Sequence, residues 1–309
     1  MKPKMLLFIL AISVMLTGCR GKSATGTETA NSSPAIASKS EQSPPSATSM
    51  PHDPSAQLDM SKLSDLFAFA DGEGKKLITL ARQPEEAHAA EKEMQLYNLA
   101  IGDNGNVLNI RYAKHQSRTE LDNGRQSAHN FSNLEGDIYD VVDGVAKPDA
   151  SYYLVSDEQF DVRSLIPLEE MEVQDIPADV AQAIVKVKGR AIERGWLLAK
   201  TDEGQQVSVV QFKRWGDQML ASLVLSDGDE LTFMDYPAQY DANSTWRVDD
   251  QSELNSRMFS ILFAARTSDG IALGFKWTGA EGENISILKQ SGNRFEESGI
   301  VSGRYQSPI

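Results

Sequence analysis

The sequence predicts a mainly β chain: an antiparallel meander arranged as a sandwich, barrel or curled sheet with about three short helices, and a β-propeller-like arrangement as the alternative. Three observations lead there. From residue 95 onward, short apolar runs recur in pairs, each pair separated by Asp, Asn and Gly residues that tolerate the positive φ of tight turns. Only three stretches place apolar residues at the three- and four-residue steps of a helix. The span from Leu58 to Ile309 is also long enough for one large domain or two small ones, with a subdivision near residue 190 left open.

The first residues carry the most specific pattern. Lys2 and Lys4 form a short positive stretch, Met5 to Met15 is almost wholly apolar, and Thr17 and Gly18 precede Cys19. That layout is a signal peptide over residues 1–18. Its apolar run is about half of the roughly 20 residues that a membrane-spanning helix needs. Leu16-Thr17-Gly18-Cys19 resembles the lipobox of bacterial lipoproteins. The resemblance implies cleavage after Gly18 and a diacylglycerol on the Cys19 thiol, and it specifies processing rather than activity. A lipid-anchored, extracytoplasmic protein of the cell envelope is therefore expected. Arg20, where an aspartate would signal retention, implies the outer membrane in a bacterium with two membranes, and the outer face of the cytoplasmic membrane in a bacterium with one.

Cys19 is the only cysteine. An exported chain with no second thiol forms no intramolecular disulfide, so stability must come from burial. Removing residues 1–18 takes away two lysines and no acids, which moves the net charge from −14 to near −16. Nucleic acid is thereby disfavoured as a partner. Anionic lipid headgroups repel such a surface as well, so the membrane is expected to be contacted through the lipid anchor only. Residues 19–57, the lipidated cysteine and a segment rich in Ser, Thr, Ala and Pro, bury too little to offset chain entropy and read as a disordered linker. About 38 such residues give a root-mean-square reach of roughly 35 Å.

Within the globular span, 58–309, Ser61 can cap a helix through Leu63, Leu66, Phe67 and Ala70 to Gly72. Pro84-Glu85-Glu86 opens a second, to about Met94, with acids where the helix dipole favours them. The third runs from Pro177 to Lys188 with Val180, Ile184 and Val187 on one stripe and Gly189 as its stop. Strands are predicted in hairpins: 95–101 with 107–112, 196–200 with 207–212, 219–225 with 230–234, and 259–265 with 271–277. A further strand, 285–289, precedes Ser291-Gly292-Asn293, and 139–142 and 152–155 add two more. Trp215, Trp246 and Trp277 stand 31 residues apart, which is the basis of the propeller alternative.

Several chemistries lose support. The only thiol would be acylated, and no G-x-S-x-G elbow occurs; Gly299-Ile300-Val301-Ser302-Gly303 is one residue out of register. Of the four histidines, His115 and His129 are the candidate bases, in a polar region where a surface histidine is the ordinary reading. The sequence has no H-E-x-x-H, cysteine pair or phosphate-cradling glycine loop, so no metal, nucleotide or other cofactor is expected. The acidic turns at Asp71, Asp103 and Asp227 offer oxygens but lack a complete calcium loop. Glu169, Glu170 and Glu172 read as a solvated acidic segment, and Tyr152, Tyr153, Tyr236, Tyr240 and Trp246 as core aromatics or a contact patch. Two function classes remain: a non-catalytic module binding an envelope protein or cell-wall component, which is favoured, and a carboxylate-dependent glycan hydrolase.

Overall fold

The structure is a computed structural model that describes residues 53–80, 91–169, 171–241, 245–246 and 254–307. All of these lie in one compact unit, Ala47–Ile309. Cys19, the signal segment and most of the linker lie outside the described residues. Among the described residues no helix is long and apolar enough to cross a membrane.

The fold is mainly β, as the turn pattern predicts. β1 (Phe67–Ala70), β2 (Lys76–Thr79), the short helix α1 (Glu91–Met94), β3 (Leu99–Gly102), β4 (Asn106–Gln116), β5 (Gly136–Val141) and β6 (Ser151–Val155) come first. Their strands close into an antiparallel barrel in the order β1-β2-β5-β4-β3-β6. Alternation on β4 identifies the inside: Asn109 and Arg111 are exposed, while Leu108 and Ile110 are buried with Ala68, Ala100, Tyr139, Tyr152 and Leu154. Six strands enclose little space, and large residues stand beside small ones on neighbouring strands. Tyr152 pairs with Ala68, and Leu154 with Ala100. The Tyr139 hydroxyl donates to the Met94 carbonyl at 2.8 Å, and the Tyr152 hydroxyl accepts from the Lys147 amide at 2.7 Å, so neither buried phenol is orphaned.

The chain then forms β7 (Gln174–Asp175), α2 (Ala178–Lys188), β8 (Ile192–Lys200), β9 (Gln206–Phe212), β10 (Gln218–Asp227), β11 (Glu230–Gln239), β12 (Phe259–Thr267), β13 (Gly270–Thr278), β14 (Gly282–Ser291) and β15 (Arg294–Tyr305). Two meanders, β7 to β11 and β12 to β15, are joined by one parallel pair, Phe233 with Arg294. The sheet curls so far that the segment before β7 bridges its far sides, Leu165 to Ala265 on β12 and Leu168 to Thr201 beyond β8. Val209, Leu223, Ile261, Leu273, Phe275 and Leu288 fill the concave side. α2 covers the convex side, where Ile184 packs on Val210, Phe212 and Val224. Its C-cap is Gly189 at φ 62°, as the sequence indicates, although Val187 of the expected stripe is 60% exposed.

One of the helix expectations changes. Ser61 to Gly72 is a 3-10 turn, Met60–Lys62, capped by Asp59, followed by strand β1. Leu66 to Ala70 is a continuous apolar run buried on both sides, a pattern that periodicity does not separate from a helix. Glu91–Met94 is helical, while the start of that prediction lies outside the described residues. The three tryptophans mark no repeat: Trp215 is in an exposed turn, Trp246 has φ 58° outside any strand, and Trp277 is on β13. The arrangement is a barrel and a curled half-barrel, not a propeller.

The wall formed by β12, β13 and β14 is shared. One face closes the half-barrel through Ile261, Leu273 and Leu288; the other packs on the barrel through Phe263, Ala265, Ala272, Ile285 and Ile287. An irregularity between Ile261 and Phe263 in the β12–β13 register accompanies the placement of both Leu262 and Phe263 on the barrel side. The carbonyls of Ile261 and Leu262 accept from Asn104 and Gly105 of the β3–β4 turn, at 3.2 and 2.6 Å. Phe263 stacks on Tyr153 at 6.0 Å and meets the edge of Phe160 at 5.5 Å. Opposite it stands Gly274, whose missing Cβ would fall 2.8 Å from the Phe263 ring. Phe263→Ala should therefore cost about 3–5 kcal/mol in unfolding free energy measured by urea titration; a loss below 1 kcal/mol would contradict this packing.

Candidate functional site

Alternate turns of the second sheet gather at one end. Between β8 and β9 lies Asp202-Glu203-Gly204, between β10 and β11 Gly228-Asp229, between β12 and β13 Ser268-Asp269, and between β14 and β15 Gly292-Asn293. Gly204 and Gly228 hold φ of 93° and 57°, which side chains rarely adopt. At that end lies a groove of about 300 Å³ lined by Glu203, Gln205, Asp227, Glu230, Arg266 and Gln290, together with Gln57.

Two glutamines organise that groove. Gln205, 9% exposed, accepts from the Thr201 hydroxyl at 2.6 Å and donates through one nitrogen to Asp227 at 3.2 Å and Glu203 at 3.5 Å. Arg266 pairs with the other oxygen of Glu203. Gln290 accepts from the Ile271 amide at 3.0 Å and donates to Thr232 at 3.0 Å and to the Gly292 carbonyl at 3.2 Å. Carboxylate acceptors, an amide and a guanidinium thus converge on a solvent-reachable space, a mixed set of acceptors and donors suited to a hydrogen-bonding ligand. Glu203 and Asp227 are also the carboxylates that a hydrolytic pair would use, though each is already engaged with a donor.

A second polar assembly is buried. Glu283 and Arg304, each 4% exposed, face one another across β14 and β15 where these strands meet the barrel. Lys276 lies 3.1 Å from Glu283, the Ser151 hydroxyl donates to it, and Arg304 donates to the side chain and carbonyl of Asp149 at 3.0 and 2.6 Å. The Arg304 Nε, 3.2 Å from Glu283, makes an ionic contact without hydrogen-bond geometry. Burial disfavours the Glu283 charge, yet Lys276 and Arg304 outweigh that effect and hold the carboxyl below its usual range. With Glu283 and Arg304 at its centre buried, this cluster joins the barrel to the half-barrel.

The sequence candidates fall elsewhere. His115 lies on exposed β4, its Nδ1 3.1 Å from Asp137 and its Nε2 3.9 Å from Glu135, and His129 is exposed in a turn. Ser302 lies within β15, not on a strand-to-helix elbow. The acid of the Asp71 turn accepts from the Glu73 and Lys75 amides, and Asp103 pairs with Lys147 at 3.0 Å. Among the described residues no three His, Cys, Asp or Glu side chains are grouped to hold a metal. Glu169 and Glu172 are exposed, and Glu170 lies outside the described residues. Tyr152 and Tyr153 are core residues; Tyr236 meets Trp277 edge-on at 5.3 Å, and the Trp246 indole donates to the Tyr236 carbonyl at 3.0 Å. Tyr240 is 44% exposed. Of the groove, the sequence reading singled out the Asp227 turn alone.

No family model, curated protein or solved structure matches the chain.

Because Glu283 titrates lower when folded than the roughly 4.3 of an unfolded glutamate, its contribution to stability is complete above that value and is lost as pH falls through the folded value. Urea midpoints compared between pH 7 and pH 3.5 should fall less steeply in Glu283→Gln than in the parent, with the variant less stable by about 3 kcal/mol at pH 7. An unchanged pH slope would contradict the assignment.

Proposed function

We propose that this chain is an extracytoplasmic lipoprotein, acylated on Cys19, whose globular domain binds an envelope protein or cell-wall component at the groove between the turns. The pattern Leu16-Thr17-Gly18-Cys19 behind two lysines and an apolar run carries the reading. Two or three acyl chains anchor a protein persistently, since each buried methylene contributes about 0.8 kcal/mol. Anchoring therefore asks nothing of the domain, and its turns are available for recognition. The donor Arg266, the amide of Gln205 and the acceptors Asp227 and Glu230 support a polar ligand over an apolar one. Arg20 after the cysteine supports the outer membrane where the cell has two.

A second reading rests on one observation. Glu203 and Asp227 flank a single amide nitrogen, and a glycan hydrolase needs two carboxylates at close separation.

Cys19→Ser should move the protein from the membrane pellet to the soluble extracytoplasmic fraction; continued sedimentation with membranes would overturn the anchor. Crosslinking in intact cells should recover a protein or wall fragment with the parent, and several-fold less with Asp227→Asn combined with Glu230→Gln; equal recovery would remove the groove from the reading. If the domain is instead a hydrolase, purified protein should release sugar from cell-wall glycan at a rate that Glu203→Gln and Asp227→Asn each lower by about a hundredfold or more.

A further inference from the structure

Two grooves meet at the turn end of the second sheet. Beside the groove at Asp227 lies another of about 370 Å³, between the β12–β13 turn and the residues that follow Gln57. Gln57, Thr267 and Gln290 line both, so the two adjoin and form one trough. Gln57 stands at the junction on a fixed backbone. Its neighbours Ala56 and Leu58 are 8% and 3% exposed, the Leu58 amide donates to the Arg266 carbonyl at 2.7 Å, and Gln57 is exposed between them.

The shared residues differ in what they offer. The Thr267 hydroxyl donates to the Gly270 carbonyl at 3.1 Å, and the Gln290 side chain is held by Ile271, Thr232 and Gly292. Gln57 has no hydrogen-bond partner among the described residues, so its carboxamide brings a free donor and a free acceptor to the trough. Charge adds a second restriction. In the first groove Asp227 and Glu230 remain after Glu203 has paired with Arg266, and in the second Asp59 and Asp269 accompany Lys289. A chain rich in phosphate or carboxylate is repelled there. The strand edge that an extended peptide would pair with is also occupied, since Leu58 and Leu165 bridge β12 at Thr267 and Ala265.

We infer that the trough holds a glycan strand, several sugars long, that crosses Gln57 from one groove to the other. The glycan is thereby the cell-wall component of the groove reading above, on which this assignment rests. Sugar hydroxyls donate to the carboxylates of Asp227, Glu230 and Asp269, and an acetamido substituent matches the Gln57 carboxamide, donor to acceptor. Each groove alone lies at the low end of the roughly 300–1,000 Å³ of ligand sites, so a short fragment occupies one and only a longer chain reaches both. Such a ligand is read by side chains and asks nothing of the β12 edge.

The test uses the full mature chain carrying Cys19→Ser, titrated by calorimetry with the dimer and the hexamer of N-acetylglucosamine. The hexamer should bind about tenfold more tightly than the dimer, because its second half meets the adjoining groove at high effective concentration. Gln57→Ala should weaken the hexamer far more than the dimer and bring the two affinities together, while Glu230→Gln should weaken both. Thermal midpoints near the parent value separate these losses from unfolding. Equal affinity for dimer and hexamer in the parent overturns the inference, as does a length dependence that Gln57→Ala leaves intact. Absence of binding by either oligomer overturns it as well; if crosslinking in cells still depends on Asp227 and Glu230, the groove reading then stands with a protein partner in place of the glycan.

Discussion

The three-stranded wall β12 to β14 is apolar on both faces, and the rest of the molecule is organised by that constraint. A sheet buried on both sides needs a partner for each face. Here the closed barrel covers one and the curl of the sheet itself covers the other. Phe263 lies where the demands meet: it projects from the irregular part of β12, lies over Gly274, and contacts Tyr153 and Phe160. With Cys19 as its only cysteine, the chain has no disulfide to substitute for this burial.

The same constraint decides where polar chemistry can stand. Charges trapped between barrel and wall must be paired, and Glu283 with Lys276, and Arg304 with Asp149, are. Such pairs are held too closely by one another to serve a ligand. At the ends of the strands the wall gives way to turns, where Gln205 and Gln290 keep hydrogen-bonding groups in place near solvent. The candidate recognition surface accordingly lies at one end of β10, the groove at Asp227.

Much of the secondary structure was legible because turns are local. Asp103-Asn104-Gly105 marks a hairpin by its tolerance of positive φ, and Asp103 and Asn104 adopt φ of 45° and 65°. The third helix was legible from Pro177 to Gly189 for the same reason, caps and stripe being neighbours in sequence. What depends on distant partners was not legible. β1 read as a helix because both of its faces are buried, one by barrel residues and one by the wall, and a doubly buried strand has no two-residue alternation to show. Closure of the barrel through β1 and β6 pairs Phe67 with Tyr153, and nothing local announces it. The groove was hidden similarly: Gln205, Arg266 and Gln290 belong to three hairpins, and a glutamine that organises carboxylates looks like any other until the strands align.

Net charge was informative about the molecule as a whole and misleading about its parts. The pairs Glu283 with Lys276, Arg304 with Asp149, and Lys188 with Asp235 each join one acid to one base, so they account for none of the excess of acids. That excess keeps the protein soluble and apart from other anions on average. Recognition samples a much smaller area, comparable to a Debye length of about 8 Å across. On that scale the groove is acidic at Glu203, Asp227 and Glu230, while at the other end of β10 Lys213 and Arg214 stand with Asp217 and Asp241 and the charges balance. The charge that a partner would meet at either end of β10 is therefore set by the few side chains standing there and not by the whole-chain value.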